Sequence, residues 1–146
     1  EVCGLHYRRG VPTSLTMVRD ERQLDIVESM RLMGQVVARH DDTERFAPKV
    51  VRTWAGLLAF HYLNRHRLSP ALRRRFMIDA DALLATADPE LLAEVLTVMP
   101  ESRRQSVHSL RRQAAVLRAA GMQPSPLPPS VAWGSVTGLE QGRHDG

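Results

Sequence analysis

The chain has 146 residues and a formal net charge of +4, which fits one domain with a real hydrophobic core. Cys3 is the sole cysteine, so an intrachain disulfide and a Cys-based zinc site are both excluded within one chain. No apolar run approaches the roughly 18–20 residues of a membrane span, and aromatics are only 5% of the chain. The core must therefore come from Leu, Val, Ala and Met, a palette that suits helix packed on helix.

In chain order, residues 1–19 form an arm with the only β-like patterning. VCGLHY and SLTMV flank RRGVP, where Gly10 and Pro12 can turn a short hairpin, although poor alternation fits an irregular arm nearly as well. From Asp20, a capping residue, the spacing of Ile26, Val27, Met30, Met33 and Val37 predicts an amphipathic helix. HDDTERFAP breaks that period, and Pro48 is placed to open a second helix running to about His66. Val50, Val51, Trp54, Leu57, Leu58, Phe60 and Leu63 give this helix the densest apolar cluster in the chain, so it is expected at the centre.

Ser69-Pro70 and Asp88-Pro89 each place a capping side chain before a proline at the first helical position. They predict helices to about Thr86 and Met99, with Asp79 to Asp81 marking a kink or break in the first. Pro100 ends the shorter one, and a fifth helix from Glu101 or Ser102 stops at Gly121, a residue suited to the left-handed C-terminal position. The expected fold is all-α: a compact bundle of about five helices over residues 20–121, or a short α-solenoid, although no internal repeat is visible. Residues 122–146, with QPSPLPPS and scattered Gly and Ser, read as an extended or disordered tail. Trp133 stands alone in it as a candidate anchor onto a surface.

The charge is unevenly placed. Lys49 is the only lysine, arginine supplying the other nineteen basic residues. Residues 1–101 balance, whereas residues 102–139 hold Arg103, Arg104, Arg111, Arg112 and Arg118 and no acid. At about 100° per residue, Arg104, His108, Arg111 and Arg118 share one narrow helical sector, beside a seam of Val107, Leu110, Ala114 and Leu117. That row is a candidate ridge for an anionic partner. The plainer reading is a solvated face whose arginines pair with acids elsewhere. Arg73, Arg74 and Arg75 point in different directions and form no such row.

Catalytic chemistry finds little support. His61 and His66 are five apart, unlike the three- or four-residue spacing of zinc-binding helix pairs. His40-Asp41-Asp42 and the Asp79/Asp81 pair fall at expected helix ends, where Asp is a capping residue. The nine glycines build no phosphate loop, so no metal, cofactor or enzymatic activity is expected. The expectation is a helical interaction module, a subunit or adaptor of a larger protein assembly. The alternative is a nucleic-acid-binding protein, RNA more than DNA, using the arginine-rich helix at 101–120. The single cysteine and the absence of an apolar span point to a soluble protein of an intracellular, reducing compartment. That compartment is the cytoplasm, or an organelle matrix if the Glu1 start reflects processing.

Overall fold

In a computed structural model the protein is described at residues 19–39 and 43–126. Five helices occupy them: α1 (Asp25–Ala38), α2 (Thr43–Leu63), α3 (Pro70–Leu84), α4 (Pro89–Val98) and α5 (Glu101–Ala119). Single 3-10 turns, Glu21–Leu24 and Arg65–Arg67, precede α1 and follow α2. No strand occurs among the described residues. The fold is thus all-α. The N-terminal arm, the HDD triplet and most of the tail, Trp133 included, lie outside the described residues.

The helix boundaries follow from capping chemistry. Ser69 Oγ accepts from the Leu72 amide at 3.3 Å and Asp88 Oδ1 from the Leu91 amide at 2.8 Å, each with proline at the first helical position. These bonds satisfy donors that the first turn leaves without partners. At the end of α5, Gly121 takes φ 88°, while its amide reaches the Arg118 carbonyl and the Met122 amide the Leu117 carbonyl. This is the Schellman arrangement, which needs a left-handed residue at that position.

Three boundaries differ from the sequence expectation. Asp20 caps the 3-10 turn rather than α1 itself. α2 begins at Thr43, so Pro48 lies inside it instead of opening it. Thr43 Oγ1 donates to the Val37 carbonyl at 2.9 Å, tying the start of α2 to the last turn of α1. That pin holds an early turn of helix despite the amide that Pro48 lacks. α3 passes unbroken through Asp79 and Asp81, because both carboxylates bond to other parts of the chain rather than to their own backbone.

α2 packs against α1, α3, α4 and α5 and is the central helix, as its apolar density predicts. Trp54, Ala55, Leu58 and Ala59 sit at its middle, essentially sealed, and meet a core that includes Met30, Phe76, Leu84 and Leu110. Tyr62 OH accepts from Gln113 Nε2 at 2.9 Å, linking the C-terminal end of α2 to the second half of α5. Leu57, Phe60 and Leu63 are exposed, however, so the apolar density of α2 exceeds what the bundle covers.

Candidate functional site

The arginine row of α5 is assembled as the spacing predicts, but most of its charge is engaged. Asp81 projects from α3 with a side chain only 3% exposed. Its Oδ1 accepts from Arg111 Nε at 3.1 Å and its Oδ2 from Arg118 Nη1. A desolvated carboxylate needs such partners, since an isolated buried charge costs several kcal/mol. Arg104 pairs with Glu101 one turn earlier, and its other Nη reaches the Thr97 carbonyl at 3.5 Å. Two carboxylates therefore answer three arginines of the row. His108 is exposed between them, bordering two shallow hollows.

Asp79, two residues before Asp81 and also buried, holds the chain where it leaves α5. Its Oδ1 accepts from the Ser125 amide at 2.7 Å and its Oδ2 from Ser125 Oγ at 2.8 Å. Arg75 Nε donates to the same hydroxyl at 3.0 Å. The two acids expected at a helix end are thus interior anchors: Asp81 fixes α5 and Asp79 fixes the segment after it. Their surroundings carried the signal. Phe76, Met77, Ile78, Ala80, Leu83 and Leu84 make the C-terminal half of α3 apolar on every side, which leaves acids among them no solvent face.

His61 lies at the core edge, with the Phe60 ring at 5.5 Å edge-on and the Phe76 ring at 6.4 Å. Burial pushes its imidazole below the ordinary value by disfavouring the charged form. His66 is exposed. No cluster of three or more His, Cys, Asp or Glu among the described residues is arranged to hold a metal ion.

A second surface emerges on α2. Arg52, Thr53, Gly56, Leu57 and Phe60 form one wall of a groove whose other wall is Met99, Pro100 and Arg103, at the corner between α4 and α5. Phe60 also borders a smaller, more polar hollow lined by Gln23, His61, Asn64, Arg67, Leu68 and Phe76. Phe60 is 44% exposed and Leu57 37%. No acid lines either hollow, and no ion pair joins Arg52 or Arg103 to an acid among the described residues. An added Cβ at Gly56 meets nothing within 4 Å, so the space above that backbone is open. On a helical wheel, Leu57, Phe60 and Leu63 turn progressively away from the Val50, Val51, Trp54 and Leu58 face. That drift was the sequence signal for a second apolar side.

No helix among the described residues is long and apolar enough to cross a membrane. The chain matches no family model, no curated protein and no solved structure.

Proposed function

We propose that the chain is a non-enzymatic helical interaction module, a subunit or adaptor of a protein assembly. Its partner lays an amphipathic helix along the outer face of α2. The observation that carries this reading is the apolar groove containing Leu57 and Phe60 on the helix that otherwise forms the centre of the core. An aromatic side chain buries about 200 Å² when fully covered. Covering the exposed part of Phe60 removes somewhat under half of that from water, about 2 kcal/mol at ~25 cal/mol per Å². Leu57 adds a smaller amount. Grooves of this kind accept helices with apolar residues at three- and four-residue spacing. With Arg52 and Arg103 at one end and no acid in the lining, the complementary helix carries acids near one end of its apolar stripe.

Nucleic-acid binding through α5 has less behind it. Arg111 and Arg118 share Asp81 and Arg104 has Glu101, which removes the continuous uncompensated row that a phosphate backbone would follow. The test is parallel affinity purification of the wild type and Phe60→Glu from cells that naturally express the chain. The expected result is a protein retained by the wild type and lost by the variant, with helical circular dichroism unchanged. An identical set of retained proteins refutes the groove as the docking surface.

A further inference from the structure

We infer that the helix received by the α2 groove is α1 of a second copy of this chain, so that copies associate head to tail. The inference rests on the groove reading above and names its occupant. α1 buries Val27, Met30 and Gly34 on its inner side and packs on its own α2. Its outer side displays Leu32, 48% exposed, and Val36, 69% exposed. Asp25 and Glu28, both exposed, precede them on that same face, since residues 25, 28, 32 and 36 repeat at three- and four-residue intervals. The bundle's own packing leaves this apolar pair uncovered. It is an amphipathic helix with acids toward one end, the chemistry that the groove asks for.

The spacing agrees as well as the charge. From Glu28 to Val36 is eight residues, and from Arg52 to Phe60 is also eight, about 12 Å of helix in each case. Laid parallel to α2 of its neighbour, α1 brings Glu28 and Asp25 to Arg52 and Arg103. Leu32 then lies over Gly56 and Leu57, and Val36 beside Phe60. Glu28 already accepts from Arg31 Nε at 2.7 Å, but a carboxylate has about four acceptor sites and can serve a second guanidinium. The open space at Gly56 allows the close approach of backbones that small residues give at helix crossings. Donor and acceptor surfaces differ, so the contact is heterologous and each dimer keeps one free groove and one free α1. Growth then continues until a ring closes or a filament forms. The patch is small, which places the association among weak, transient contacts.

Sedimentation velocity on the full chain, from low to high micromolar concentration and at two salt levels, tests this. The expected result is a mass that rises with concentration and rises less at high salt, where the rim charges are screened. Phe60→Glu blocks the groove and Val36→Glu blocks the α1 face. Both positions are exposed, and circular dichroism checks that each variant stays helical. Each alone should weaken association at least about tenfold, because the new carboxylate is desolvated without a partner. An equimolar mixture of the two should form a dimer and stop there, since it retains one intact groove facing one intact α1. A wild type that stays monomeric throughout overturns the inference. So does association that survives either substitution, or a mixture that does not recover the dimer. A monomeric wild type that still loses a foreign protein on Phe60→Glu would leave the groove reading standing and remove only the second copy.

Discussion

Asp81→Asn keeps the side-chain shape but removes the charge that Arg111 and Arg118 share. Hydrogen bonds to charged groups contribute about 1.5–3 kcal/mol each. Here both guanidiniums are more than 40% exposed and regain water when released, so the loss should be about 2 kcal/mol. The reciprocal change is more damaging. Arg111→Gln combined with Arg118→Gln leaves a carboxylate that is 3% exposed with no cation, and an unpaired buried charge costs about 3–5 kcal/mol. The arginine double variant should therefore lose more stability than Asp81→Asn, although it touches only half-exposed side chains. Urea unfolding followed by far-ultraviolet circular dichroism reads this directly. With an m value of about 2 kcal/mol per molar, the midpoint falls by about 1 M for Asp81→Asn and about 2 M for the double variant. If the double variant proves no worse than Asp81→Asn, the arginines are not what makes burial of Asp81 tolerable.

Three further outcomes follow from individual sites. Gly56→Ala should raise stability by about 0.5–1 kcal/mol, because glycine is a poor helix former and the new Cβ meets nothing within 4 Å. Thermal unfolding should show it, while sedimentation shows weaker association if a second helix crosses there. Gly121→Ala should cost about 1 kcal/mol in urea unfolding, since φ 88° is unfavourable for any residue with a Cβ. For His61, burial lowers the folded-state pKa below 6.5, so the unfolded chain binds the proton more readily. Its contribution is intact above about pH 6.5 and is lost as the pH falls through the lower folded value. His61→Leu should flatten the decline in stability between about pH 7 and 5, measured by urea midpoints; an unchanged slope would assign that decline to other groups.

The punctuation of the bundle was plain in the sequence. Ser69-Pro70, Asp88-Pro89 and Gly121 act through local backbone rules and took their expected places. Trp54 and Leu58 marked the centre through the density of apolar residues around them. Pairing across helices was not readable in the same way. Asp79 and Asp81 looked like capping residues because local grammar assigns acids to helix ends, whereas their partners stand 30 to 46 residues away. Apolar density likewise put Leu57 and Phe60 in one rich cluster without showing which members the bundle fails to cover. That depends on how α4 and α5 turn their corner at Pro100, a tertiary fact with no local signature. The acid-free run from residue 102 was visible, and so were two acids within the apolar second half of α3. Only their juxtaposition in space joins them into one contact.

The hold of Asp79 on Ser125 also moves the edge of the folding unit. A fragment cut after Gly121 would include every helix of the described residues, yet it would strip the Asp79 carboxylate of the amide at 2.7 Å and the hydroxyl at 2.8 Å that satisfy it. Only Arg75, at 3.5 Å, would remain to it. A stable fragment should therefore extend past the last helical turn to take in Ser125, and the four residues after Gly121 carry a contact that belongs to the interior's electrostatics.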